Sequence, residues 1–177
     1  MQEKEVRAVI KDPERFKVIL YNSKARHHKE ALIEDRLYDT PTRTLKARGE
    51  KLRIRIVNSG MRGYLCWKGT KDFSSDVKSR EEIQVGVNDW RETSLILESL
   101  GYIPTKVIRR KAQTFSFRQT KIRLEYFPVE KIWLAEIEGD LKGISEAKAL
   151  FPKIDFGPYT LNELLKKRKD GKDASKD

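Results

Sequence analysis

Three short runs, far apart in the chain, alternate charged with apolar side chains: Glu3-Lys4-Glu5-Val6-Arg7, Leu52-Arg53-Ile54-Arg55-Ile56 and Glu136-Ile137-Glu138. On a strand every second side chain shares a face. Glu3, Glu5 and Arg7 therefore share one, as do Arg53 and Arg55, and Glu136 and Glu138. Such a strand is apolar on one face and ionic on the other. Carboxylates and guanidiniums on the inner face of a sheet are costly unless something neutralises both sets. A divalent cation answers the carboxylates and a polyanion answers the basic groups.

The bulk composition is compatible with that picture. The chain has 177 residues, enough for one domain with a real core, with 38% hydrophobic and 37% charged residues. Its net charge of +11 calls for an anionic partner without choosing among nucleotide, polyphosphate, RNA and acidic lipid. The segment 166–177 supplies +3 of that excess, so most of the charge belongs to the fold. Cys66 is the sole cysteine, which excludes an intramolecular disulfide and a cysteine-built zinc site. His27 and His28 are adjacent, not at a ligand spacing. No apolar run reaches the roughly 18 residues of a membrane span. Patterned charge at the start leaves no room for a signal peptide, so a cytoplasmic location is expected.

Along the chain, Glu3 to Ile10 predicts a strand that Asp12-Pro13 breaks, and Ser23 to about Asp35 predicts a polar helix. Leu37 to Asp39 reads as a short strand. Leu52 to Val57 and Tyr64 to Gly69 read as a hairpin turning at Asn58-Ser59-Gly60. Residues 71–78 read as a loop and Arg80 to Val87 as a strand. Asn88 or Asp89 caps a helix that Gly101 closes. Ile103–Phe117, Thr120–Phe127 and Lys131–Glu138 read as antiparallel strands, followed by helices at 143–150 and 159–167 and an unstructured basic tail over 166–177. About eight strands with helices in the connections favour a closed antiparallel β-barrel, which has no edges to protect.

Two sets of side chains carry chemistry. The acidic set is Glu3, Glu5, Glu82, Glu125, Glu136 and Glu138. Paired strand carboxylates suit Mg²⁺ or Mn²⁺, which take oxygen ligands and keep waters. For any one glutamate a surface pair with lysine is the better explanation; the doubled pairs Glu3/Glu5 and Glu136/Glu138 weigh against it. The basic set is Arg7, Arg53, Arg55, Lys68, Arg80, Arg109, Lys111 and Arg123. Arg53 and Arg55 project about 7 Å apart, a spacing suited to neighbouring phosphates, each able to take bidentate contacts. Gly-rich phosphate loops and a Ser-His-Asp triad are absent from the sequence.

In order and spacing these motifs resemble the CYTH superfamily, the triphosphate tunnel enzymes. Glu3-Lys4-Glu5-Val6-Arg7 is similar to the family's ExExK, with arginine for lysine. Asp35-Arg36-Leu37-Tyr38-Asp39 resembles its D-x-Y-F-D stretch, and Leu52-Arg53-Ile54-Arg55 its L-R-x-R strand. Trp67-Lys68-Gly69 looks like its K-G segment. Arg80-Glu81-Glu82-Ile83-Gln84 is similar to R-x-E-x-E, with Gln84 replacing a carboxylate. Val107-Ile108-Arg109-Arg110-Lys111, after Leu100-Gly101-Tyr102, resembles V-x-K-x-R with arginine and lysine exchanged. Leu124-Glu125 stands where L-D is usual, and Glu136-Ile137-Glu138 matches the closing E-x-E.

The resemblance covers residues 3 to about 165 and implies an eight-stranded antiparallel tunnel within one domain, 1–165. One lobe of basic side chains would hold a triphosphate and one of glutamates would hold Mg²⁺ or Mn²⁺. Glu3, Glu5, Glu125, Glu136 and Glu138 are then the metal ligands, Arg7, Arg53, Arg55, Lys68, Arg80, Arg109, Lys111 and Arg123 the phosphate ligands, and Arg53, Arg55, Glu82 and Arg109 the catalytic set. The leading expectation is a metal-dependent triphosphate hydrolase acting on inorganic triphosphate or an organic one such as thiamine triphosphate. Its partner is a triphosphate-bearing small molecule, with no membrane, nucleic acid less favoured, and a monomer or homodimer. A class IV adenylate cyclase, in which the ribose 3′-OH attacks the α-phosphorus, is the alternative. A non-catalytic barrel binding polyphosphate or RNA is the third reading.

Overall fold

The computed structural model describes residues 2–72 and 76–173, with side chains to 168. Its elements run β1 (Gln2–Val9), α1 (Pro13–Asn22), β2 (Arg26–Asp39), α2 (Thr44–Ala47), β3 (Lys51–Val57), β4 (Gly63–Lys68), β5 (Lys78–Val87), α3 (Trp90–Ser99), β6 (Ile103–Phe117), β7 (Thr120–Phe127), β8 (Ile132–Glu138), α4 (Leu141–Ala149) and α5 (Leu161–Asp173). The eight strands form a closed antiparallel barrel in the order β1-β5-β4-β3-β2-β6-β7-β8. Closure leaves no strand edge unpaired.

The chain divides into two compact units. The first comprises residues 2–3, 31–72 and 79–112, and therefore holds β3, β4, α3, most of β5 and the Ala31–Asp39 stretch of β2. In it, β3 pairs with β2 (Asp35 opposite Arg55, Leu37 opposite Arg53) and with β4 (Arg53 opposite Cys66, Arg55 opposite Tyr64). Residues opposite one another share a face, so the register separates two surfaces. Ile54 and Ile56 pack with Tyr38 and with Leu97 of α3 as a buried apolar cluster. Arg53 and Arg55, one residue out of phase, lie on the other face. Gly63 is required where β4 begins, because a Cβ there would meet the Arg55 carbonyl oxygen at 2.8 Å.

The second unit comprises residues 4–30, 76–78 and 113–173. Here β8 pairs with β1 (Glu136 opposite Arg7, Glu138 opposite Glu5) and with β7 (Glu136 opposite Arg123, Glu138 opposite Lys121). Val6, Ala8, Ile122, Leu124, Ala135 and Ile137 form its apolar face, packed with Phe16 and Leu20 of α1 and Ile144 and Ala147 of α4. Phe16 stacks on Phe151 with centroids 4.2 Å apart. Helices cover the apolar face, and the opposite face carries the charges.

Several elements differ from the sequence reading, among them the short α2, which it lacked. Asp12-Pro13, read as a break, starts α1: the Asp12 carboxylate accepts the Arg15 N–H at 2.9 Å and proline occupies the first turn. The polar helix expected over 23–35 is instead part of β2, a single 14-residue strand that also absorbs the short strand at 37–39. Its inward side chains include Asp35 and Asp39, so it lacks the apolar alternation that normally marks a strand. The expected basic tail begins within α5, which continues to Asp173, while 174–177 lie outside the described residues.

Candidate active site

In the first unit, Asp35 projects from β2 between three guanidiniums. It accepts from Arg55 Nε at 2.7 Å and Nη2 at 3.0 Å, from Arg53 Nη1 at 3.2 Å and from Arg110 Nη1 at 3.0 Å. Arg53 also reaches Glu82 Oε1 at 3.4 Å. Lys68 of β4 bridges Glu3 Oε2 at 2.5 Å and Glu82 Oε2 at 2.9 Å, and Arg80 Nε lies 3.6 Å from the same Glu3 oxygen. The described members of this group are five cations, Arg53, Arg55, Lys68, Arg80 and Arg110, and three anions, Glu3, Asp35 and Glu82. Lys68, Arg80 and Arg110 are all buried, and Arg53 Nε is buried without a hydrogen bond.

Burial and these neighbouring charges together set the electrostatics. Burial would raise the Asp35 carboxyl, but Arg53, Arg110 and Arg55 outweigh it and hold Asp35 well below the ordinary carboxylate range. Glu3 behaves alike: burial opposes ionisation, and Lys68 with Arg80 overcomes it, keeping the carboxyl far below its usual value. Lys68 goes the other way and is lowered to about 8. Burial is the largest cause and the Arg53 charge the next; Glu3 and Glu82 only partly offset them. Cys66, beside these residues, is pushed up by burial, and its thiol donates to Gln84 Oε1 at 3.1 Å.

The second unit carries a balanced group. Glu136 of β8, buried, takes Arg7 on one side (Nε at 2.6 Å) and an ion pair with Arg123 on the other. Arg123 also contacts Glu138 at 3.1 Å and Glu125 at 4.0 Å, and Lys121 reaches Glu138 at 2.8 Å. Glu5 is paired with Lys78 and lies 3.4 Å from Arg7 through Oε1. Its second oxygen, Oε2, is buried without a hydrogen bond.

The structure thus distributes the sequence candidates as follows. Arg53, Arg55, Lys68, Arg80 and Glu82 come together in the cation-rich group. Glu3, expected with the metal ligands, joins them through Lys68 and Arg80. Glu5, Glu125, Glu136 and Glu138 gather in the second unit, and Arg7 and Arg123, expected on phosphate, bridge those carboxylates. Arg109 and Lys111 do not reach the charged face. Arg109 is 65% exposed and pairs with Glu34, and Lys111 is exposed. Arg110 takes the inward place. The run Arg109-Arg110-Lys111 offers a cation at either parity, so sequence could not fix the phase. Asp35 and Lys78 were also missed. Lys78 shares strand parity with Arg80 and Glu82, a signal present in the sequence; Asp35 was hidden by the helix reading of β2.

No helix among the described residues is long and apolar enough to cross a membrane. Among curated proteins none matches the sequence significantly. Solved structures do match in fold. PH1819 protein from Pyrococcus horikoshii OT3 superposes with a TM-score of 0.74 at 24% identity, covering 94% of this chain and 99% of that one. A Vibrio parahaemolyticus protein assigned as an adenylate cyclase gives 0.74 at 18% identity, covering 93% and 97%. A Hippeastrum protein assigned as an adenylyl cyclase, and described as having a dominant triphosphatase activity, gives 0.72 at 14% identity, covering 93% and 95%. The CYTH domain model matches residues 1–165. With its closed eight-stranded barrel and this match over nearly its whole length, the chain belongs to the CYTH family.

Proposed function

We propose that the protein is a metal-dependent triphosphate phosphohydrolase acting on inorganic triphosphate or an organic triphosphate. The observation that carries this reading is the convergence of Arg53, Arg55, Arg110, Lys68 and Arg80 in one group, spaced by Asp35, Glu3 and Glu82. Guanidinium and ammonium groups gathered in this way suit a polyanion, whose phosphate oxygens take charge-assisted and bidentate contacts. Arg53, Arg55 and Arg110 would turn guanidinium N–H groups to phosphate oxygens, with Asp35 fixing their spacing. Lys68 and Arg80, held by Glu3 and Glu82, would take a further phosphate as charge donors. Catalysis would then rest on positioning and neutralisation, as phosphoryl transfer demands.

The implied Mg²⁺ or Mn²⁺ fits the second unit by donor chemistry. Its carboxylates are hard oxygen donors, and Glu5 Oε2 is buried with no hydrogen bond. Among the described residues no three His, Cys, Asp or Glu side chains cluster as a closed ligand set. That suits an ion bound through one or two carboxylates plus waters and substrate phosphates. Glu5 and Glu136, which meet at Arg7, would hold it, and Glu138 and Glu125 would support Arg123. A bound divalent ion would neutralise phosphate charge and make an attacking water more acidic.

The test is a product assay with inorganic triphosphate, thiamine triphosphate and ATP, each with Mg²⁺, Mn²⁺ or EDTA, quantifying orthophosphate, pyrophosphate and cyclic AMP. Metal-dependent orthophosphate release is the expected result. Cyclic AMP with stoichiometric pyrophosphate would make the protein a cyclase instead, and silence on all substrates by folded protein would overturn the enzymatic reading.

A further inference from the structure

The cation-rich face of the first unit changes character along β4. At Lys68 the row across the sheet is ionic, with Lys68 opposite Glu82. Two residues on, Cys66 stands between Arg53 and Gln84, and the side chains on β4 and β5 are neutral. Two further, Tyr64 stands between Arg55 and Gly86. Tyr64 is 42% exposed on the face that carries Arg55, and among the described residues its hydroxyl and ring have no partner. A Cβ placed on Gly86, directly opposite, would meet nothing within 4 Å. An aromatic ring therefore stands beside a glycine with open space above it. Gln84 borders that space. It accepts the Cys66 thiol at Oε1, which leaves the two amide hydrogens available as donors.

An all-phosphate ligand has no use for this end. Tyr64 offers an apolar face, Gly86 offers room, and Gln84 offers an uncharged donor. Together they suit a flat heteroaromatic group, which stacks on a tyrosine and takes amide hydrogen bonds on its ring nitrogens or carbonyls. Continuity with Arg55, the register partner of Tyr64, places such a group at the end of a phosphate chain held by Arg53 and Arg55. We infer that Tyr64, Gly86 and Gln84 form a subsite for the heteroaromatic moiety of an organic triphosphate. The inference rests on the triphosphate reading above and selects the organic branch of it.

Calorimetric titration with ATP, thiamine triphosphate and inorganic triphosphate, in Mg²⁺, tests it on the full chain. Stacking on one aromatic side chain is worth about five- to a hundredfold in affinity. Tyr64→Ala should weaken at least one organic triphosphate about tenfold and leave inorganic triphosphate within about twofold. Tyr64→Phe should keep wild-type affinity, and Gly86→Val, which fills the open space without disturbing a strand, should reproduce the loss. Equal effects on organic and inorganic ligands, or no effect on any, would overturn the subsite. Failure of the hydrolase reading looks different. In that case discrimination by Tyr64→Ala persists while wild-type protein releases no orthophosphate. No binding of any triphosphate overturns both.

Discussion

Asp35 holds three guanidiniums at once, and the consequence of removing its charge can be worked out. Asn at that position keeps the shape but removes the carboxylate that Arg53, Arg55 and Arg110 share, and breaking a buried pair of this kind costs about 3–5 kcal/mol. Asp35→Asn should lower the urea midpoint by an equivalent amount, and added inorganic triphosphate should restore part of it by supplying the lost charge. Wild-type stability in the variant would show that Asp35 does not organise the cluster. The same residues set the pH response. Asp35 and Glu3 are depressed, so their contribution is complete above the ordinary carboxylate range, about pH 4. It should be lost as pH falls below that. Lys68, lowered from 10.5 to about 8, has the opposite sense. Below about pH 8 folded and unfolded chains both carry its proton, and its buried charge weighs against the fold. Between about 8 and 10.5 the folded chain sheds the proton first, and that penalty is relieved. Triphosphate binding wants the proton kept, so affinity should fall as pH rises through about 8. Lys68→Arg should flatten that fall, and an unchanged profile in the variant would remove Lys68 from phosphate contact.

At the scale of the element, β1, β3, β7 and β8 each have one face buried under helices or apolar neighbours and one face carrying ion pairs, and the two faces do separate work. Leu20 of α1 is fully buried in the apolar cluster of the second unit and makes no contribution to the charged face. Leu20→Ala should therefore cost about 2–5 kcal/mol in stability while leaving the KM for triphosphate within about twofold. A large KM change would mean that the faces are coupled. This division also explains what the sequence disclosed. β3, β7 and β8 were legible because Ile54, Ile56, Ile122, Leu124 and Ile137 alternate strictly with charges. The phase of those charges identified Arg53, Arg55, Glu136 and Glu138 as sharing a face. β2 was not legible, because its Arg26–Glu30 start is polar at every position and exposed, and a strand without an apolar phase resembles a solvated helix. Asp35 fell with it. Which carboxylates pair with which cations was equally beyond reach, since Glu3 and Glu5 share a face in sequence yet take different partners, Lys68 with Arg80 in one case and Lys78 in the other.

Over the whole molecule the placement of charge separates the rival functions. A barrel that merely attracts polyanions through its +11 would lose affinity steeply with salt, because released counterions drive the binding. Arg53, Arg55, Lys68, Arg80 and Arg110, buried or partly buried on carboxylates, give a different dependence: solvent ions screen such groups weakly, and Mg²⁺ should strengthen the complex by neutralising phosphate charge. A ligand at a hundred times its Kd stabilises the folded state by about 2.7 kcal/mol, which for a chain of this size is about 5–10 °C in Tm. Thermal unfolding with inorganic triphosphate and Mg²⁺ should show a shift of that size. EDTA should reduce the shift more than a doubling of sodium chloride does. Glu136→Gln should abolish the Mg²⁺ increment while retaining a metal-free shift due to Arg53, Arg55 and Lys68. A shift that collapses with salt and ignores both EDTA and the Glu136 substitution would identify a metal-independent polyanion binder and remove the carboxylates of β1 and β8 from the site.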